Sequence, residues 1–252
     1  EGMATTTSEQ TGRAAGVTQM EAEARKYFPR GLNQPTGSFR FSADALLLAE
    51  FAAAKTARPL RCLDLGCGCG VVGLGLMLRL PALRCIGVDI SPELIAAATQ
   101  NAAQLGLSER YLPVPGDVRD YKNIAELKPG AFDLVVANPP YRKVGSGRLP
   151  PSDLRLAALF ETNGDITVFA AAAAYALKNN GRFCCVYDAG RLPELCAALE
   201  AHGLAPKRMR PVHSRKGEGA RLILLEARRG GKPGLKWEPP LYLGESKEPG
   251  NF

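Results

Sequence analysis

Asn138-Pro139-Pro140-Tyr141 concentrates more usable chemistry than any other stretch of the chain. Asn138 offers an amide oxygen as acceptor, the prolines have carbonyls but no N–H, and Tyr141 offers a flat aromatic face. Such groups can hold a planar amino group by its hydrogens while the ring that carries it stacks. The run ahead of them, Phe132-Asp-Leu-Val-Val-Ala137, is apolar and β-branched, as a strand buried on both faces is. Pro139 and Pro140 stop that strand, which leaves Asn138 at its carboxyl end, where open α/β sheets bind ligands. Alone, a tetrapeptide of this kind is equally a polar turn or a proline-rich docking segment.

Three carboxylates repeat the placement: Asp64 at the end of Leu60–Leu65, Asp89 after Arg84–Val88, and Asp117 just behind Tyr111–Pro115. Successive ones are separated by about one strand–helix–strand unit. Asp64 opens the turn Asp64-Leu-Gly66-Cys-Gly68-Cys-Gly70, whose glycines let the backbone turn tightly and touch a ligand. The helix that follows, Val71–Leu80, points its N-terminus there. Gly68-Cys-Gly70-Val-Val-Gly73 also matches G-x-G-x-x-G with an acid about twenty residues on, so a nicotinamide oxidoreductase is a formal alternative. Asp64 argues against it, because a carboxylate repels a pyrophosphate but suits a ligand carrying an ammonium and a sulfonium. Asp89 would accept both hydroxyls of a ribose and Asp117 an adenine amino group, with Ile90 and Val118 beside them. The set fits S-adenosylmethionine better than a dinucleotide.

The elements that must carry these residues read as one doubly wound α/β domain, a mostly parallel seven-stranded sheet closed by an antiparallel C-terminal hairpin. Ser42 caps a helix over Ala43–Ala53, with Asp44 in its first turn, and Ser91-Pro92 opens another. Thr167–Leu177 reads as a helix stopped by Asn179-Asn180-Gly181, Arg182–Tyr187 as strand five, and Leu192–Ala201 as a helix stopped by His202-Gly203. Ala205–Val212 and Ala220–Ala227 form the hairpin. Residues 1–33 read as a loose leader with a short helix near Met20–Phe28, residues 34–229 as the domain, and residues 230–252 as an irregular tail.

At 252 residues, 46% apolar and 23% charged, the composition is that of a soluble globular protein. The longest apolar stretch, Val168–Leu177, is too short for a membrane span, and no apolar signal segment precedes it. Seven scattered cysteines indicate reduced, cytoplasmic usage. Cys62, Cys67 and Cys69 lack a nearby histidine, so no metal site is expected, and His202 and His213 lie far from the motifs. Net charge is +7, and Lys207–Lys236 holds ten Lys or Arg against two Glu. Arg208, Arg210, Arg215 and Lys216 gather at the hairpin's first strand and turn, as a grip on a phosphate backbone would need. The alternative is a solvated basic surface.

Asp64-x-Gly66-x-Gly68-x-Gly70, Asp89, Asp117 and Asn138-Pro-Pro-Tyr141, with the terminal hairpin, resemble the class I S-adenosylmethionine-dependent methyltransferases that modify amino groups. Gln34-Pro-x-x-Gly-x-Phe-Arg-Phe-Ser-x-Asp-Ala-Leu-Leu-Leu-Ala49 and Gly219-Ala-Arg-Leu-Ile-Leu-Leu-Glu-Ala-Arg-Arg229 are similar to bacterial adenine-N6 methyltransferases acting on adenosine-37 of valine tRNA. The likeness runs from about Gln34 to Arg229. It implies that Asn138, Pro139, Pro140 and Tyr141 hold the acceptor. Arg40, Ser42, Asp64, Gly66, Gly68, Gly70, Asp89, Ile90, Asp117 and Val118 then hold the cofactor, with Asn138 between the two. It also implies a tRNA substrate, no metal and no membrane. A protein glutamine or an rRNA guanine amino group is the alternative acceptor, and a non-catalytic RNA-binding module the alternative of another class. One departure bears on the target nucleotide: such enzymes often carry Ala-Arg-x-Glu after the Asn-Pro-Pro-Tyr loop, where this chain has Ala158-Leu-Phe-Glu161.

Overall fold

A computed structural model describes residues 28, 31–35, 43–53, 60–139 and 165–244. In chain order these form α1 (Ala43–Ala52), β1 (Arg61–Leu65), α2 (Val71–Arg79), β2 (Arg84–Asp89), α3 (Pro92–Gln104), β3 (Tyr111–Pro115) and β4 (Phe132–Ala137). There follow α4 (Ile166–Ala176), β5 (Leu177–Asp188), α5 (Leu192–Ala201), β6 (Leu204–His213), β7 (Ala220–Arg229), β8 (Lys236–Trp237) and β9 (Leu241–Tyr242). Short 3₁₀ turns at Val118–Asn123 and Ala189–Arg191 join some of them.

All strands share one sheet, in the order β3-β2-β1-β4-β5-β7-β6-β8, with β9 also on β6. β1 to β5 are mutually parallel, and β7 runs antiparallel to both β5 and β6. The chain winds outward from β1 to β3, then returns to lay β4 on the other side of β1. That reversal leaves a crevice between the carboxyl ends of β1 and β4, the position where doubly wound sheets bind ligands.

Strand alternation feeds two cores. Leu134 and Val136 of β4 pack toward α1, α2 and α3, while Val135 and Ala137 face α4 and α5. Every residue of β4 is buried, because helices cover both faces. Phe28, 1% exposed, is seated in the first core, so the leader has an anchor that its irregular sequence did not suggest.

Two expectations are corrected. Asn179-Asn180-Gly181 does not stop a helix: α4 is capped at Leu177, and β5 begins there. Phe132 pairs with Leu177 but Leu134 with Arg182, so residues 178–181 bulge out, with Asn180 at φ 60. The sheet also has nine strands rather than seven, since residues 236–237 and 241–242 of the tail add to the free edge of β6. Among the described residues, no helix is long and apolar enough to cross a membrane.

Candidate active site

Leu65 and Ala137 are paired across β1 and β4. The residues that follow them, Gly66 and Asn138, therefore face each other at roughly the 5 Å spacing of adjacent strands. Asn138 is half-buried and Pro139 buried. Pro140 and Tyr141 lie outside the described residues, as do Arg40, Ser42 and Ala158–Glu161.

The glycine turn has a conformation that its sequence demands. Gly66, Gly68 and Gly70 have φ of 68, 55 and 91, in the left-handed region that a side chain disfavours. A Cβ at Gly68 would meet nothing within 4 Å, so this turn has an open face. Its closed side is tied down. Cys67 N donates to Val88 O at 2.9 Å, Gly68 N to Asp89 Oδ2 at 2.8 Å, and Asn101 Nδ2 to Cys69 O at 3.0 Å.

Asp64 is 1% exposed and accepts from Gly73 N at 2.9 Å, in the first turn of α2. It therefore occupies one of the donors that a pyrophosphate would need at that helix end. Its other oxygen has no protein donor among the described residues. Burial pushes its pKa up to about 7, partly offset by the Gly73 bond, and Asp89 raises it further. Asp89 is itself buried and raised for the same reason; its oxygens accept from Gly68 N and, at 2.9 Å, from Ser91 N. Ile90 next to it is 39% exposed, an uncovered apolar surface at the end of β2.

Asp117 has protein partners of its own. It caps the 3₁₀ turn through Arg119 N at 2.9 Å and pairs with the Arg119 guanidinium at 2.5 to 3.1 Å. The hydrogen bond from that guanidinium holds its pKa below the usual carboxylate range. An adenine amino group would have to share this carboxylate with Arg119. The Val118 side chain is buried in the second core.

The cysteines of the turn are packing groups. Cys67 and Cys69 are buried, and burial raises both thiols, that of Cys69 to about 11. His213 sits at the hairpin, its Nδ1–H donating to Glu218 O at 2.7 Å. Arg208 is not a free cation: it bonds Glu226 and Glu238, each at 3.0 Å, and lies 3.9 Å over the Phe51 ring. Arg215 and Lys216 are exposed at the turn, which lies at the carboxyl end of the parallel strands.

Sequence reasoning missed two supports of this site. Asn101, fully buried on α3, holds both the Cys69 carbonyl and Asn33 of the leader, whose N–H donates back at 2.6 Å. An asparagine within the alanine-rich buried stripe of a helix was the available signal. The Tyr111 ring fills the space under Gly70, Gly73 and Gly87. Nothing local in the sequence marks it.

Residues 42–150 match the methyltransferase small domain. A tRNA1(Val) (adenine(37)-N6)-methyltransferase of Porphyromonas gingivalis is 29% identical over 78% of this chain and 77% of that protein. By these matches the chain is similar to S-adenosylmethionine-dependent methyltransferases along most of its length. A release factor glutamine methyltransferase of Rhodospirillum rubrum is 30% identical to it over 76% of this chain and 57% of that protein. In fold, the chain is similar to a predicted O-methyltransferase from Agrobacterium tumefaciens, with TM-score 0.65, 22% identity and coverage of 83% and 91% of the two chains. It is also similar to TrmN from Thermus thermophilus, with TM-score 0.57, 21% identity and coverage of 82% and 53%.

Proposed function

We propose that the chain is a methyltransferase that acts on the exocyclic N6 of adenine in tRNA, at adenosine-37 of the anticodon loop. The observation that carries the reading is Asn138, half-buried at the end of β4 and facing the glycine turn at the end of the adjacent β1. Its relative in Porphyromonas gingivalis, named for this reaction, matches along most of both chains. Cytoplasmic placement follows from that substrate.

The residues of the crevice fit S-adenosylmethionine. The open face at Gly68 admits direct contact, the Asp64 oxygen without a protein donor suits an ammonium, Asp89 suits ribose hydroxyls, and Ile90 offers an apolar wall for adenine. The cofactor supplies a methyl group on a sulfonium. The chain's own part is to make the acceptor nitrogen nucleophilic. An aromatic amine conjugates its lone pair into the ring, so it is a poor nucleophile. When the Asn138 amide oxygen and the Pro139 carbonyl accept its two N–H groups, the nitrogen turns toward tetrahedral geometry and its lone pair is directed outward. Positioning and fixed dipoles then carry the rate, with no strong base required. Tyr141 would stack on the base, which must be extruded or single-stranded to reach it.

A second reading is favoured by the Rhodospirillum rubrum relative, because an amide nitrogen of glutamine presents the same two hydrogens. The two separate in one competition: labelled S-adenosylmethionine with tRNA and a peptide-release factor present together. Label in RNA supports adenine. Label in the release factor, released as methylamine by base, would overturn it.

A further inference from the structure

The tail strands put aromatic rings where the methyl-transfer site makes no use of them. Trp237 of β8 pairs with Met209, and Tyr242 of β9 pairs with His213. Residues 209 and 213 are four apart on β6, and the register shift at Val212/His213 puts its extra residue, Arg221, on β7, so both rings stand on one face of the sheet. Their separation along the strand is roughly 13 Å. Trp237 is 56% exposed and Tyr242 42%, and the Tyr242 ring lies 5.3 Å from the His213 imidazole.

Single exposed aromatics need no explanation. Here the tail is fastened so that the rings are held out. Glu238 N donates to Met209 O at 2.8 Å, while Leu243 N and Gly244 N donate to His213 O and Ser214 O, each at 3.0 Å. Arg208 holds Glu238 at 3.0 Å, and Arg210 Nε donates to Pro239 O at 3.1 Å. Along the same edge, Arg215, Lys216 and Lys232 are exposed and have no ion pair among the described residues, whereas Lys236, paired with Arg208, lies on the opposite face from Trp237.

The location suits a substrate shared with the active site. β4, β5, β7 and β6 are successive neighbours, so the hairpin lies roughly 14 Å from Asn138 across the sheet. Following the register from Ala137 through Cys185 and Leu225 to Met209 puts the turn beyond Asn138, on the ligand side of the sheet.

We propose that Trp237 and Tyr242, with Arg215, Lys216 and Lys232, form a ledge that stacks unpaired bases and holds phosphates of RNA flanking the target adenine. The proposal rests on the RNA reading of the acceptor. Stacking platforms bordered by cations are how single-stranded nucleic acid is held without strict sequence readout.

Trp237 is the only tryptophan of the chain, so its emission reports the ledge directly. An unmodified anticodon stem-loop RNA, titrated without S-adenosylmethionine, should quench that emission strongly, and a fully paired RNA of equal length only weakly. The double variant Trp237→Ala/Tyr242→Ala should raise KM for the stem-loop about tenfold or more. Its affinity for S-adenosylmethionine should be unchanged, and Trp237→Phe should restore much of the loss. Methyl transfer to RNA with no quenching and an unchanged KM in the double variant would overturn the ledge alone. Quenching by the stem-loop, with methyl transfer only to a protein, would support the ledge and overturn the RNA acceptor. Quenching by a release factor but not by RNA would overturn the ledge as an RNA surface.

Discussion

Asn138 carries no titratable proton, so it acts on an amine only by hydrogen bonding, with its amide oxygen accepting one of the amine hydrogens. Asn138→Ala should therefore lower kcat about 10²-fold or more, the usual cost of removing one preorganised polar partner of a reacting group. Affinity for S-adenosylmethionine, measured by calorimetric titration, should stay near that of the parent; a variant with parental turnover would remove Asn138 from the mechanism. Asp64 makes a separate prediction. Its pKa of about 7 in the fold stands above the ordinary value of 3.8, so the folded chain retains a proton that the unfolded chain gives up. That stabilisation is whole below about pH 4 and is lost as pH rises through about 7. A bound ammonium favours the ionised form instead. Affinity for S-adenosylmethionine should then rise between pH 6 and pH 8, while Asp64→Asn binds weakly at both and flattens the pH dependence of thermal unfolding. Equal slopes in parent and variant would place the ammonium elsewhere. These carboxylates were legible in the sequence because each ends an apolar run. What Asp117 does was not, since its partner Arg119 is also consistent with plain surface charge.

The element that fixes the N-terminal side of the crevice is α1, and arginines from the sheet hold both its ends. Arg221 of β7 reaches Asp44 in its first turn at 3.0 Å. At the other end, Arg182 donates to Ala52 O at 3.2 Å and Arg208 to Phe51 O at 2.7 Å, supplying the cations that the last turn of α1 lacks. Both arginines also meet the buried Glu226, at 3.3 and 3.0 Å. Glu226→Ala should cost about 3–5 kcal/mol in urea unfolding, because two half-buried guanidinium groups lose their shared carboxylate; a loss under about 1 kcal/mol would mean that the network is inert. Under the glycine turn, a Cβ at Gly87 would stand 2.4 Å from the Tyr111 hydroxyl, which has no oxygen or nitrogen partner among the described residues. Gly87→Ala should destabilise by about 1–3 kcal/mol, and adding Tyr111→Phe should recover part of it. No recovery in the double variant would assign the strain to Cys67, which lies 2.9 Å from the same point. None of these pairs was readable beforehand. Asp44 and Arg221 are separated by 177 residues, and local pattern does not report contacts at that range.

Across the whole molecule, the parallel half was legible and the antiparallel edge only in part. β1 to β4 announce themselves as apolar runs ended by glycine, aspartate or proline, and their order follows from the doubly wound rule once the strand–helix alternation is seen. β5 was cut short because Asn179-Asn180-Gly181 carries the chemistry of a helix stop, and sheet pairing overrode it with a bulge. β8 and β9, at two residues each, are too short to show alternation, so the tail read as irregular although it closes the edge that carries Trp237. The excess of positive charge remains, with Arg208 drawn inward and Arg215 and Lys216 outward. Arg215→Ala/Lys216→Ala should weaken tRNA binding and reduce the slope of log affinity against log salt by about 2. An unaltered slope would move the grip away from the hairpin turn. The central claim is the identity of the methylated atom. Incubation with methyl-labelled S-adenosylmethionine and unmodified bulk tRNA, followed by digestion to nucleosides and chromatography, should put the label in N6-methyladenosine, and Asn138→Ala should abolish it. Label in a methylated guanosine, or none in any nucleoside while a release factor accepts it, would contradict the account.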